Sequence, residues 1–161
     1  MWYFFSMGDR GSDLWNIFLD TALGLLAELD ELMAKHHGLS ALWFQVLAVL
    51  YEAPDGHLKL NDLARAIRLS QSGATRLVDR LEKEGLLERI NCPSDRRVVY
   101  TTLCPRGKAA YEAALPDWKT FLEARFANPL GEDQLKVLGD LLTRLKPAQT
   151  PLEKCPEQLS S

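Results

Sequence analysis

The 161-residue chain has no run of about 18 apolar residues, so no membrane span is expected. It has no phosphate-cradling glycine loop, no nucleophile elbow and no paired metal motif, so no catalytic chemistry is expected either. Cysteine is scarce. Cys92, Cys104 and Cys155 are an odd number without secretory context, which predicts reduced thiols in a cytoplasm rather than a disulfide framework. Histidine is equally scarce, and the adjacent His36 and His37 should point about 100° apart on an ordinary helix, which disfavours one shared ion. No metal and no other cofactor is expected. Trp2–Phe5 is too short for a signal-peptide core and follows no positive residue, and Met7 is a candidate natural start beside Met1. No internal repeat is visible.

A basic excess is also missing, because the net charge is −3. Its distribution matters more than its sum. From His57 to Gly107 ten lysines and arginines face six acids, a local +4, while the remainder holds nine against sixteen, or −7. A basic middle between acidic ends is the asymmetry of a nucleic-acid reader carried on a scaffold with another task.

What is present is helix. Leu14, Phe18, Ala22, Leu25, Leu26, Leu29, Leu32 and Met33 recur near a 3.6-residue period and predict a helix from Leu14 to about Lys35, with Ser12 as its cap and Gly38 past its end. Ser40–Glu52 is apolar nearly all round and should be buried. After a turn at 53–56, a small strand is expected at His57–Leu60. Asn61 can cap a short helix whose Leu63, Ala64 and Ile67 face the core. Ser70 can cap the next helix, with Ala74, Leu77, Val78 and Leu81 buried and Gly85 ending it in a left-handed conformation. Strands are expected at Leu86–Asn91 and Val98–Leu103. Pro105 suits the first turn of a helix over about 106–127, which Pro116 should bend or break. Gly131–Lys146 is a last, leucine-rich helix, and the tail over 147–161 should be disordered.

The segment from Leu60 to Gly107 carries the functional reading. Its second helix leaves Gln71, Ser72, Thr75, Arg76, Asp79 and Lys83 on the open side, and Arg80 joins Gln71, Ser72, Thr75 and Arg76 as a candidate for DNA contact. The first turns of such a helix meet base edges in helix-turn-helix docking. Glutamine can bond adenine on two atoms, arginine can bond guanine on two, and threonine can touch a thymine methyl or a phosphate. The hairpin that follows has Arg96 and Arg97 at its tip, suited to the negative potential of a narrow minor groove. Asp95 does not favour DNA directly, and it is expected to orient Arg97 by a charge-assisted bond.

DLARAIRLSQSGATRLVDRLEKEGLLERINCPSDRRVVYTTLCPRG resembles the winged-helix core of MarR-type bacterial transcription regulators. The match is close over about fifty residues, and the flanking helices agree in number and order. The resemblance implies a mainly α fold with a small β-hairpin wing. The winged helix-turn-helix spans about 57–107, dimerisation helices lie at 13–36 and 106–146, and residues 1–12 form a flexible N-terminus. It places Gln71, Ser72, Thr75 and Arg76 in the recognition helix and matches Asp95 and Arg97 to the wing's Asp-x-Arg pattern. Leu103-Cys104 stands where the family usually has Leu-Thr, a weaker cap for the next helix. The implied partners are double-stranded DNA, a second copy of the chain and a small-molecule effector.

The leucine-rich faces of the outer helices independently ask for a partner surface. Two-fold symmetry then predicts a pseudo-palindromic operator with half-sites roughly 10 bp apart. The expected role is a homodimeric repressor released by a small ligand. The alternative is a winged-helix module that binds another protein and no operator. The effector pocket is expected between the DNA-binding lobe and the dimer helices, where Trp15, His36 and Trp43 are candidates, although aromatic residues on apolar faces are more often plain core. Cys92 and Cys104 should lie on the order of 20 Å apart along the hairpin, too far for a disulfide.

Overall fold

The computed structural model describes residues 10–91 and 98–145. The expectations for Trp2–Phe5, Met7, Cys92, Asp95, Arg96, Arg97, Cys155 and the tail over 147–161 fall outside these residues.

Helix α1 runs from Arg10 to His37, longer at both ends than its periodicity predicts, and α2 spans Ala41–Tyr51. Because α1 begins at Arg10, Ser12 lies inside it and caps nothing. Gly38 follows with φ 64° and turns the chain sharply out of the helix. Two side chains secure the start of α2. Ser40 Oγ accepts from Trp43 N at 3.1 Å, and Asp30 Oδ1 accepts from Ala41 N at 2.7 Å, so α1 satisfies one of the open amides of α2.

Strand β1 is His57–Lys59, and α3 spans Leu60–Ala66. Asn61 does not cap α3. The helix begins at Leu60, behind Lys59 and two residues before the start that an Asn61 cap implies, and the Asn61 carboxamide bonds a neighbouring helix instead. Helix α4 is Gln71–Lys83, capped by Ser70 Oγ on Gly73 N at 3.1 Å, with Ala74, Leu77, Val78 and Leu81 all buried as expected. Gly85, at φ 67°, lets Leu86 N return to Leu81 O at 2.9 Å and drops Leu86 into the core.

Strands β2 (Leu87–Asn91) and β3 (Val99–Leu103) pair antiparallel, with Leu87 opposite Leu103 and Asn91 opposite Val99. β1 joins the other edge of β3, His57 opposite Thr102, so the sheet order is β1-β3-β2.

Helix α5 (Pro105–Leu122) passes through Pro116 without a break, which excludes one of the two expected effects of that proline. Pro116 and Glu112 are both exposed, so the carbonyl that Pro116 leaves without an N–H partner is on the side where water can serve it. A π-helical stretch, Glu123–Ala127, follows and leads into α6 (Asn128–Leu145). The break falls at Gly131, with φ 69° and ψ 168°. Cys104 stands before α5 without a side-chain bond to the helix, as expected of cysteine at that position.

The core lies where the second half of α1 meets α2, α3, α4, α5 and the sheet. Leu29, Met33, Phe44, Leu47, Leu63, Val78, Leu81 and Tyr111 are among its members. The first half of α1 and all of α6 contribute no fully buried apolar residue. Arg125 of the π stretch reaches back to Glu28 of α1 with two 2.7 Å bonds, and the guanidinium holds the Glu28 carboxyl below its ordinary range.

Candidate nucleic-acid interface

Helix α4 is held on three sides, and its fourth side carries the candidate residues. The apolar stripe seats it on the core. Gly85 and Leu86 fix its C-terminal end, and Arg106 adds a 2.6 Å bond from its guanidinium to Glu84 O. On one flank, Arg89 of β2 donates to Asp79 Oδ1 at 2.6 Å and Glu82 Oε2 at 2.5 Å. That fork ties the hairpin to α4 and consumes two of the acids that would otherwise repel a phosphate backbone. Arg89→Ala should cost roughly 1 kcal/mol in urea denaturation, because the ion pairs are partly exposed. It should also weaken any polyanion binding, because Asp79 and Glu82 are then left uncompensated.

Gln71, Ser72, Arg76 and Arg80 are exposed, as placed from the sequence. Thr75 is half-buried, and its hydroxyl donates to Gln71 O at 2.8 Å, so it presents mainly its methyl group. Gln71 is not a loose side chain. Its Nε2 donates to Asn61 Oδ1 at 2.6 Å, clasping the start of α4 to α3. Sequence reasoning cast Asn61 as a cap and missed this role. The turn between the two helices passes through Arg68 at φ 57°, a left-handed conformation that a non-glycine residue adopts at some cost.

Arg65 and Asp62 form an ion pair in α3 beside this surface. Asp62 is 2% exposed, and its second oxygen, Oδ2, has no partner. A cleft of about 650 Å³ opens here, lined by Lys59, Asn61, Asp62, Arg65, Gln71 and Val99 among others. It does not lie where an effector pocket is expected from the sequence. Trp15 is exposed, Trp43 packs at the edge of the core, and neither they nor His36 line this cleft. Asp95, Arg96 and Arg97 belong to the segment outside the described residues.

Two further sequence expectations meet the geometry. His36 and His37 do not splay to separate partners: each has a ring nitrogen 3.0 Å from the same atom, Asp117 Oδ2. Cys104 is half-buried, and burial, then the charges of Glu88 and Glu82, push its thiol above the usual range, the opposite of a reactive thiolate.

Residues 37–98 match the family model described as MarR family. The HTH-type transcriptional repressor YetL of Bacillus subtilis is 32% identical over 111 residues, covering 67% of this chain and 66% of YetL, just under two-thirds of its length. An HTH-type transcriptional regulator of Bacillus cereus is 34% identical over 118 residues, 73% of this chain and 77% of its own. Sco3205, a MarR family transcriptional regulator from Streptomyces coelicolor solved in complex with DNA, superposes with a TM-score of 0.81 at 25% identity, covering 90% of this chain and 88% of that one.

Proposed function

Because the chain belongs to the MarR family of transcriptional regulators, we propose that it binds double-stranded DNA sequence-specifically and represses transcription from a cytoplasmic location until a small ligand releases it. Its task is binding rather than catalysis. The observation that carries this reading is the exposed row Gln71, Ser72, Arg76 and Arg80 on a helix whose orientation is fixed by Arg89, Arg106 and the Asn61–Gln71 clasp. A rigid helix with long polar side chains at its open end is what base readout in a major groove needs. The +4 charge of the surrounding segment supplies the attraction to phosphates. Arg96 and Arg97 are assigned to the neighbouring minor groove on their chemistry alone, with Asp95 assigned to orient Arg97.

The working unit is proposed to be a homodimer. Leu14, Trp15, Ile17, Phe18, Leu23 and Leu26 of α1 are exposed, as are Val137, Leu141, Leu142 and Leu145 of α6. Rows of this size on a monomer mark a surface that another chain covers. The rows lie on the outer helices, away from α4, which leaves both recognition helices of a pair open to DNA.

Arg76→Ala tests the residue assignment. Losing a two-atom contact to a base should cost ~1–3 kcal/mol and flatten the preference at one operator position. Fluorescence anisotropy on a selected operator and its single-base variants reads both effects. An Arg76→Ala protein with unchanged affinity and preference would remove Arg76 from the interface.

A further inference from the structure

The two histidines that close α1 meet α5 through one carboxylate. His36 reaches Asp117 Oδ2 with Nδ1 and His37 reaches it with Nε2, both at 3.0 Å. The use of different ring nitrogens explains why helical neighbours can share a target. One imidazole offers its near nitrogen and the other its far one, and the difference in reach offsets the angle between them. The three donor atoms lie within 4.8 Å of one another. His37 is mostly buried, with 16% of its side chain exposed, while His36 and Asp117 are exposed at 49% and 42%. The cluster therefore has a wall and an open mouth.

We infer that His36, His37 and Asp117 form a binding site for a divalent transition-metal ion of the zinc type, joining the end of α1 to the middle of α5. Two imidazoles and one carboxylate are a donor set that suits zinc, cobalt, nickel or ferrous iron and disfavours magnesium and calcium, which take oxygen. Around tetrahedral zinc, with bonds of about 2.0–2.1 Å, neighbouring donors stand about 3.3 Å apart. Both nitrogen–oxygen distances already approach that spacing, and ring rotation at the exposed His36 closes the remaining gap. On binding, each ligating nitrogen presents its lone pair and keeps its proton on the other ring nitrogen. Any second proton on a ring passes to water. The fourth position faces solvent and takes a water molecule. Three protein ligands with an open position make an exchangeable site rather than a closed structural one. The site is separate from α4 and does not depend on the DNA-binding reading. An ion in it would tie α1, which carries the apolar row, to α5, which follows directly from β3.

The test is cobalt(II) titration of tag-free, metal-stripped protein, followed by visible absorption, with zinc added afterwards as competitor. Expected are one cobalt per chain, the strong absorption of a tetrahedral nitrogen–oxygen site, and its loss on adding zinc. Asp117→Asn and His36→Gln, each checked for native circular dichroism, should weaken binding at least tenfold, and His57→Gln should leave it unchanged. His36 is half exposed, so its variant tests the site even if Asp117→Asn disturbs the fold. Absence of the absorption overturns the assignment. So does binding that persists in both variants, or a sulfur-to-metal charge-transfer band that places the ion on cysteine.

Discussion

Gly107→Ala is expected to destabilise the protein by about 3 kcal/mol or more, although alanine is the better helix former by roughly 1 kcal/mol. The two effects have opposite sign, and the contact decides between them. A Cβ built on Gly107 falls 1.9 Å from Leu86 O and 2.9 Å from Leu86 C. These are backbone atoms, and they are held from both sides. Leu86 N is bonded to Leu81 O, and Leu86 O accepts from Cys104 N at 3.1 Å. Neither end can yield cheaply, so α5 must lift off the start of β2. Lifting it breaks the Cys104 bond and loosens the packing of Leu86, Leu87 and Leu103, all buried. Total stabilities of about 5–15 kcal/mol leave little margin for such a loss. Urea denaturation of both proteins reads the sign directly. A Gly107→Ala protein as stable as the parent would mean that α5 does not sit on Leu86.

Phe44→Ala is expected to cost ~3–5 kcal/mol, the usual range for deleting a buried aromatic ring. Phe44 is 2% exposed. Its ring stacks on Trp118 with centroids 4.3 Å apart and on Tyr111 at 5.2 Å. Tyr51 extends the group, 4.5 Å from Tyr111, and donates its hydroxyl to Glu112 at 2.9 Å. This cluster joins α2 to α5 and therefore the core to the helix that leaves the wing. Truncation leaves a cavity whose walls are large rings that cannot collapse into it. Phe44→Leu should cost clearly less, because it keeps most of the volume. The near-ultraviolet circular dichroism of Trp118 should flatten in the alanine protein even where the backbone signal is retained.

The contrast between these two sites shows what the sequence made legible. Phe44 lies in an apolar run whose burial is readable from hydrophobicity. Gly107 is unremarkable by pattern, because its constraint comes from the backbone carbonyl of Leu86, far earlier in the chain. The same division runs through the interface. The buried stripe and the Ser70 cap of α4 follow from local period and local chemistry, and so does its exposed row. The Asn61–Gln71 clasp, the Arg89 fork and the Arg106 bond to Glu84 join residues 10, 7 to 10 and 22 positions apart. Only the fold brings them together. Asn61 misled because asparagine caps helices well in general, while here α3 starts two residues sooner than an Asn61 cap would place it. Pro116 does not break α5 because the carbonyl that it leaves unpaired is on an exposed face open to water. That His36 and His37 share Asp117 Oδ2 was not legible, because helix geometry fixes Cβ directions and leaves the choice of ring nitrogen open.

If α4 and its basic surroundings read DNA, binding must depend steeply on salt. Duplexes are selected from fragmented genomic DNA, and the dissociation constant is then measured by fluorescence anisotropy from low to physiological salt. The expected result is a selected pseudo-palindrome bound tightly by the dimer. Affinity should fall on the order of 10³-fold or more between 50 and 200 mM salt if about six phosphates are neutralised. Recovery of no preferred duplex, with binding indifferent to salt, would mean that α4 does not read DNA and would favour a surface that meets another protein.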